Sequence, residues 1–254
     1  MTPIFSLTRR AALALAAAAC LATPALAEGE TYKVGSTPTG VPFTFLNMQT
    51  GEIDGLMVDI VKAIGAAEGF TPQVEATQWS ALIPSLTGNK IDMIAAAMIA
   101  TEERAKVVTF TDPVYAYGEG LVVKTDNPAT YATWDELGDK AVGVQVGTSY
   151  ADKMQKSGKF SDIRIYDTMQ DMMRDVALGR IEAAIGDYPI FVYQLDNNDH
   201  DLRLVKEYET QLPGNVAIAV RQDDADLLAK LNSGIAKITE SGELDTIIAK
   251  WNLN

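Results

Sequence analysis

The chain has 254 residues, of which 47% are hydrophobic and 22% are charged. This is the composition of an ordinary globular protein and argues against disorder, and the length allows one large domain or two modest ones. The formal net charge is −13, from 21 basic and 34 acidic residues. With no basic cluster to neutralise phosphates, this charge argues against a nucleic-acid partner.

The first 27 residues have the pattern of an export signal. Arg9 and Arg10 precede an apolar run at 11–22, and a small-x-small motif, where signal peptidase cleaves, ends at Ala27. The apolar run is too short to span a bilayer. We therefore expect a signal peptide at 1–27, cleavage after Ala27 and a mature protein in the periplasm.

The sole cysteine, Cys20, lies in this segment. After cleavage the chain has no thiol for a disulfide, a nucleophile or a metal ligand. Removing Arg9 and Arg10 changes the net charge from −13 to −15. Two other interpretations stay open. Thr8-Arg9-Arg10 partly matches a twin-arginine signal, and Cys20 could carry a lipid, although Ala17 stands where a Leu-like residue is usual.

From Tyr32 onwards, strand and helix patterns alternate, which predicts an α/β fold. A helix over 58–67 ends at Gly69, and a second helix is expected to begin with Ser80 as its N-cap and to end at Gly88. A third helix over 223–238 aligns Leu227, Leu231, Ile235 and Ile238 on one face. Strands are predicted at 32–36, 71–76, 91–97, 120–124, 141–146 and 216–220.

Two observations indicate two lobes of similar plan. The passage Gly88-Asn89-Lys90-Ile91 is echoed by Gly179-Arg180-Ile181, and each leads into a strand of small residues. Such passages are also common in α/β proteins generally, so this echo leaves the question open. Polar linkers at 125–128 and 211–215 are expected to carry the chain between the lobes. Ligands of such units bind at the carboxyl ends of strands, so we expect the site in the gap.

Arg104 and Asp187 are the candidate binding charges. Arg104 lies in the first turn of a short helix, where a guanidinium and free N–H groups suit a carboxylate. Asp187 ends a second strand and could bind an ammonium. Together they suggest a receptor for a zwitterion. The alternatives are a surface salt bridge between Arg104 and Glu102 or Glu103, and an N-cap role for Asp187 before Pro189.

Residues 30–254 contain a series of short motifs whose order and spacing match those of a known protein family. It comprises Gly35…Pro42-Phe43, Asp54-Gly55…Val58-Asp59, Trp79-Ser80-Ala81-Leu82, Thr101-Glu102-Glu103-Arg104, Phe110-Thr111-Asp112-Pro113, Gly143…Gly147-Thr148, Gly186-Asp187 and Gly242-Glu243-Leu244…Trp251. In these motifs the chain resembles the family 3 extracytoplasmic solute-binding proteins, which are the amino-acid receptors of ABC importers.

The resemblance implies a type II periplasmic-binding-protein fold with two Rossmann-like lobes joined by a two-strand hinge. Lobe 1 would comprise 30–117 and 213–254, and lobe 2 would comprise 118–212. It also implies a monomeric, non-enzymatic receptor that needs no cofactor or metal. Such a receptor captures an amino acid or a related zwitterion and delivers it to an ABC permease in the inner membrane.

Residue by residue, the resemblance assigns the ligand α-carboxylate to Arg104 and the α-ammonium to Asp187. Thr148 and Ser149 would reach the carboxylate from the second lobe. Trp79 and Phe43 match the aromatic floor beneath the ligand, with plain core packing as the alternative for both.

The chain also departs from the family pattern around this pair. Ala96, Ala97 and Ile99 stand where hydroxyls or glycine are usual, so a hydroxyl donor is lost at Ile99, and Met98 offers only its backbone. Gly40 stands where an aromatic residue often covers the ligand. Thr37 stands where receptors for basic amino acids tend to carry an acid, which argues against a lysine or arginine ligand.

Two other functions fit the same fold. A dehydratase-like secreted enzyme would need a tuned acid, for which Asp187 or Glu119 could be nominated. A sensory module for a chemoreceptor or kinase would share every binding residue. Other enzyme classes fit poorly, because His200 is the one histidine and lies in a polar loop. Neither a P-loop nor a dinucleotide fingerprint is present.

Overall fold

The computed structural model describes residues 29–198 and 201–253. The predicted signal peptide and His200 lie outside these ranges. Within them no helix combines the length and apolar character that crossing a membrane requires.

The strands are short and are spread over the described ranges. They are β1 (Thr31–Ser36), β2 (Thr39–Gly40), β3 (Thr44–Leu46), β4 (Ile53–Asp54), β5 (Thr71–Ala76), β6 (Met93–Ile94), β7 (Thr109–Phe110), β8 (Tyr115–Tyr117), β9 (Glu119–Lys124), β10 (Ala141–Gln145), β11 (Asp162–Tyr166), β12 (Ala183–Asp187), β13 (Leu202–Leu204), β14 (Gly214–Val216) and β15 (Ala219–Val220).

The α-helices alternate with these strands, and two 3₁₀ turns lie at Trp79–Ala81 and Trp134–Leu137. The helices are α1 (Leu56–Glu68), α2 (Leu82–Thr87), α3 (Glu102–Ala105), α4 (Ser149–Ser157), α5 (Met169–Ala177), α6 (Tyr188–Asn197), α7 (Ala225–Glu240) and α8 (Glu243–Lys250).

Two five-stranded mixed sheets form the centres of two α/β lobes. The first has the order β5-β1-β6-β15-β7 and the second has the order β11-β10-β12-β9-β13. In each, the strands that begin the βα units run parallel, and the remaining strands join antiparallel. The predicted α/β class and two-lobe fold are therefore confirmed.

Helix α1 illustrates how the sequence builds the first lobe. Its buried face includes Val58, Ile60, Val61 and Ile64, and it ends at Gly69, which takes the left-handed conformation with φ 74°. It packs against α7, whose Gly234 leaves so little room that a Cβ there would lie 2.6 Å from Ile64 Cγ2. The four aligned apolar residues predicted in α7 are all buried.

The hinge between the lobes is a separate two-stranded sheet. Strand β8 pairs antiparallel with β14, with Tyr117 opposite Gly214. Immediately after β8, the chain passes through Gly118 into β9 of the second sheet. A Cβ at Gly118 would lie 2.1 Å from Thr210 Oγ1, so glycine is required where the two crossings touch. The exact limits predicted for the lobes, 30–117 with 213–254 and 118–212, stay a prediction.

A buried carboxylate ties these two crossings together. Glu119 is only 2% exposed. It accepts hydrogen bonds from Tyr208 Oη (2.8 Å), Thr210 Oγ1 (2.8 Å) and the backbone N–H groups of Gln211 (2.5 Å) and Leu212 (3.0 Å). Four donors satisfy a charge that burial would otherwise make costly.

Two predicted local features at the first lobe are wrong. Ser80 does not cap a helix, because it lies inside the 3₁₀ turn and Gln78 occupies the N-cap position instead. The strand expected over 91–97 is regular only at Met93–Ile94, because Ala97 leaves the sheet with φ 54°.

Two predictions near the hinge are also wrong. The strand expected over 216–220 is two strands, because the chain leaves β8 at Val216 and joins the first sheet only at Ala219. The segment 125–128 does not cross between lobes. It follows β9 beside the second sheet, where Asn127 bonds to Glu182 (2.7 Å) and accepts from Arg203 (2.7 Å).

Candidate functional site

A cavity lies between the lobes at the carboxyl ends of four strands, where α/β folds bind ligands. Thr37 follows β1 and Ala96 follows β6 in the first lobe, while Gln145 ends β10 and Asp187 ends β12 in the second. The cavity is narrow, with a volume of about 20 Å³. Its lining residues are Thr37, Thr39, Gly40, Phe43, Thr44, Trp79, Ala96, Ala97, Gln145, Met169, Asp187 and Ile190.

A larger and more open groove, with a volume of about 1110 Å³, runs along hinge strand β8. Its lining includes tyrosines such as Tyr188 and Tyr193 and charged residues such as Lys206 and Lys250. The smaller cavity is the better candidate, because it lies at the carboxyl ends of strands from both sheets, with Asp187 in its lining and Arg104 at its edge against Trp79.

Arg104 stands at the junction of the two lobes. Its helix α3 begins after Thr101, whose hydroxyl accepts from Arg104 N (3.2 Å). Arg104 Nη1 donates to Ile99 O (2.6 Å), and Nη2 donates across the cleft to Gly147 O (3.0 Å). The guanidinium also lies 5.4 Å from the centroid of the Trp79 ring, within cation–π range. Backbone carbonyls and an aromatic face therefore fix its direction.

The surface salt bridge considered for Arg104 is not observed. Within the described residues, Arg104 forms no ion pair, and Glu103 instead pairs with Lys106 at 2.8 Å. Burial lowers the pKa of Arg104, with nearby acids opposing that effect. The guanidinium stays charged at any physiological pH, so a half-buried cation without an acidic partner remains at the cleft.

Asp187 is the acid that faces the cavity. It sits directly before α6, yet its carboxylate makes no capping hydrogen bond to that helix. Burial raises the pKa of Asp187 to about 6, although the hydroxyls of Tyr150 and Tyr117 and the charge of Arg104 lower it. Unlike Glu119, this carboxylate has no backbone donors among the described residues. It is therefore held ready for a cationic partner.

Two buried tyrosines surround Asp187. Tyr117 Oη donates to Ala97 O (3.0 Å), while Tyr150 Oη is buried without a hydrogen bond of ordinary geometry to any described residue. Burial and the nearby Asp187 raise the pKa of both phenols well above the usual value. Both hydroxyls therefore stay protonated and act only as neutral dipoles.

The two predicted aromatic residues both line the cavity. Phe43 is 1% exposed and stacks on Tyr117 with ring centroids 5.3 Å apart, so it also belongs to the core. Trp79 is half-buried and faces Gly147 of the second lobe. A Cβ atom added to Gly147 would lie 3.7 Å from Trp79 Nε1.

Thr148 and Ser149 begin helix α4, as expected. Thr148 is the N-cap, and its hydroxyl accepts from Ala151 N (3.2 Å) and donates to Gln145 O (2.8 Å). Ser149 is half-buried in the first turn. The helix start lies next to Gly147, which Arg104 contacts, so its free N–H groups are close to the guanidinium. Neither side chain belongs to the cavity lining.

The segment 97–99 supports the site mainly through its backbone. Ala97 lines the cavity, whereas the side chain of Met98 packs in an apolar cluster with Leu82. Ile99 packs on the hinge, where a Cβ on Gly214 would lie 2.3 Å from Ile99 Cγ2. Its carbonyl holds Arg104.

Several lining residues escaped the sequence analysis. These are Thr39, Thr44, Gln145, Met169 and Ile190, together with Tyr117 and Tyr150 behind Asp187. Gln145 lies near the end of the strand predicted at 141–146, a signal that could have found it, whereas no element was predicted around Met169. Ile190 reaches the site only because the lobes meet, with its Cδ1 3.7 Å from a Cβ built on Gly40.

No group of acids, histidines or cysteines within the described ranges could hold a metal ion.

Known proteins resemble this chain over most of its length. The L-cystine-binding protein of Escherichia coli is 28% identical over 224 residues, covering 88% of this chain and 83% of that protein. The ABC transporter arginine-binding protein 1 of the same species is 31% identical over 241 residues, covering 94% and 98%. The structure of an ancestral arginine-binding protein bound to glutamine superposes with a TM-score of 0.81 at 30% identity, covering 88% and 98%.

A family profile matches nearly the whole described chain. The profile of the bacterial extracellular solute-binding proteins, family 3, covers residues 32–254. Its extent agrees with the two-lobe fold and with the interlobe cavity. The chain belongs to the bacterial extracellular solute-binding proteins, family 3.

Proposed function

We propose that this protein is the substrate-binding component of an ABC transporter, which captures an amino acid or a related zwitterion between its lobes and delivers it to a permease. The observation that carries this proposal is the pair of opposite charges at one cavity. Arg104 has no acidic partner among the described residues, and Asp187 has no basic partner closer than Arg104 itself. A zwitterion would supply both.

Arg104 would bind the α-carboxylate, with the start of α4 at Thr148 and Ser149 completing its shell. The guanidinium is already oriented by two carbonyls, so little side-chain entropy is lost on binding. Asp187 would bind the α-ammonium, and Phe43 and Trp79 would support the ligand. Ala97, Met98 and Ile99 would contribute backbone.

The relatives support the biological setting. They are named for binding cystine or arginine, and one is named as part of an ABC transporter. We place the mature chain in the periplasm, beginning at Glu28, as a monomer whose protein partner is an inner-membrane ABC permease. Its charge of −13 gives no basis for a nucleic-acid partner.

Ligand truncation tests the zwitterion directly. Calorimetry on the chain from Glu28 onwards would compare each amino acid with its deaminated acid and with its amide. Because each analogue leaves one buried charge unpaired, we expect either change to weaken binding at least about 100-fold. If no natural amino acid gave saturable binding, or if both analogues bound as tightly as the parent, the proposal would fail.

We further propose that the chain is not an enzyme. An enzyme on this fold would use Asp187 as a proton donor, and its raised pKa is the one observation that favours that role. However, the described part of the chain contributes no second acid or base to the cavity lining. Incubation with prephenate-like carboxylic acids should give no product, and turnover that depended on Asp187 would reverse this assignment.

A further inference from the structure

Beyond the pair of Arg104 and Asp187, the described residues place no other charged group in the cavity lining. Thr37, Thr39 and Thr44 line it from the first lobe, and Met169 and Ile190 line it from the second. Asp187 is the only ionisable side chain that the described residues contribute to the lining, and the guanidinium of Arg104 lies at its edge against Trp79 and Gly147 O. From this count we infer that the ligand's side chain is uncharged, an inference that rests on the proposed receptor function.

A basic side chain would bring a second positive charge into the cavity. Asp187 can neutralise one cation, and the α-ammonium would already occupy it, while Arg104 adds a further positive charge nearby. An unpaired charge in such a buried site is strongly unfavourable or forces a change of protonation. Arginine and lysine are therefore disfavoured.

An acidic side chain meets the converse problem. Arg104 would be engaged by the α-carboxylate, and its two amino groups already donate to Ile99 O and Gly147 O. Among the described residues no second cation lines the cavity. Aspartate, glutamate and the distal zwitterion of cystine are disfavoured for this reason.

The two walls of the cavity also differ in polarity. On one side, Thr37 Oγ1 and Thr44 Oγ1 lie 2.7 Å apart and share a hydrogen bond. This uses one of their two hydroxyl hydrogens, so one donor is left for a ligand atom. On the other side, Met169 and Ile190 are each 5% exposed and present only apolar atoms. A neutral side chain can contact both walls without leaving a charge unpaired.

The two lobes contact each other directly beside the threonine wall of the cavity. Gln170 Nε2 of the second lobe donates to Thr39 O of the first at 2.8 Å. Ile190 approaches Gly40 closely from the same side. A long charged side chain therefore cannot extend past Thr39 to reach solvent without breaking this contact.

A ligand panel tests the inference. Calorimetry at pH 7.5 would compare neutral amino acids, including glutamine, serine, threonine, methionine and leucine, with arginine, lysine, aspartate, glutamate and cystine. We expect at least one neutral amino acid to bind about 100-fold more tightly than every charged one. Equal or tighter binding of arginine, lysine, aspartate, glutamate or cystine would overturn the inference while leaving the receptor function intact. If no amino acid bound, the proposed function itself would fail.

A substitution test changes the charge of the wall. Thr37→Asp places a carboxylate beside the Thr44 hydroxyl, which can donate to it, and should improve arginine binding relative to the parent at least tenfold. Thr39→Asp adds a carboxylate to the same wall at a less buried position and should also improve arginine binding, so it covers the case in which Thr37→Asp folds poorly. Thr50→Asp, on an exposed loop, adds the same charge away from the cavity and should not change arginine binding. A gain in Thr50→Asp as large as in the two wall variants would refute the role of the wall.

Discussion

The two charged residues of the cleft are held in opposite ways. Arg104 is fixed from three sides, by Ile99 O, by Gly147 O and by the face of Trp79. Asp187 has no backbone donor among the described residues, and burial raises its pKa to about 6. One group is thus preorganised before a ligand arrives, whereas the other is destabilised until a cation pairs with it.

This difference separates two requirements of zwitterion binding. A preorganised cation gives direction, because its donors point at a fixed place. A poorly solvated anion gives selectivity for a positive group, because the ion pair relieves a desolvation penalty that other ligands leave in place. The following predictions test whether Arg104 orients the ligand and Asp187 selects for a positive group.

The largest expected effect is on Arg104. Arg104→Ala should weaken amino-acid binding about 1000-fold, since it removes one partner of a buried charge pair and leaves the ligand carboxylate unpaired. Calorimetry gives the affinity. Arg174→Ala removes an exposed arginine that pairs with Asp171 and should leave the affinity unchanged. Parental affinity in Arg104→Ala would show that the guanidinium does not bind the ligand.

The second effect is on folding without ligand. The pKa of Asp187 rises from 3.8 to about 6 on folding, so the folded state holds this proton more firmly than the unfolded state. The free energy of unfolding should therefore fall as the pH rises from about 4 to about 6. Above that range, Asp187→Asn should stabilise the ligand-free protein by at most about 3 kcal/mol.

Thermal unfolding at pH 4 and pH 8 measures this gain. The advantage of Asp187→Asn should be present at pH 8 and absent at pH 4. Asp196→Asn, on the exposed end of the same helix, serves as the matched control and should leave the stability unchanged at both pH values. A destabilised Asp187→Asn at pH 8 would mean that the carboxylate is well solvated in the folded protein.

The third effect is on the pH dependence of binding. The ligand ammonium pairs with ionised Asp187, so below about pH 6 the protein must release a proton to bind. Affinity should then fall about tenfold for each further pH unit. Asp187→Asn should bind more weakly at neutral pH and lose this slope. An identical slope in that variant would assign the titration to another group.

The smallest effect concerns the support of Arg104. Trp79→Leu removes the aromatic face beneath the guanidinium and should weaken binding about fivefold, the equivalent of about 1 kcal/mol. Trp79→Phe keeps a ring and should lose less. The affinities of the two variants and the parent decide the point, and an unchanged affinity in Trp79→Leu would leave the two carbonyls as the only support.

The sequence predicted the features that depend on local pattern. The apolar faces of α1 and α7 followed from helical spacing, and the left-handed end at Gly69 followed from its residue type. Arg104 and Asp187 could be named because each follows a strand of small residues. Local pattern could not predict which atoms contact Arg104 and Asp187 in the folded protein.

The remaining features depend on contacts between distant segments. Ile190 and Met169 reach the cavity only because the second lobe packs against Gly40 and Thr39. The strand expected at 216–220 splits because Ile218 N donates to Thr111 Oγ1, 107 residues away, rather than to a neighbouring strand. Ser80 failed as a cap because the turn before α2 begins one residue earlier, at Trp79.

The buried Glu119 has a mechanical consequence. It fastens the segment 208–212 to the start of β9, so these two pieces of chain behave as one rigid block on the second-lobe side. The first-lobe side begins with the paired strands β8 and β14. We therefore expect any rotation between the lobes to be concentrated at Gly118 and at the Pro213–Gly214 peptide, which connect these two parts. The two crossings of the polypeptide would then have to rotate together.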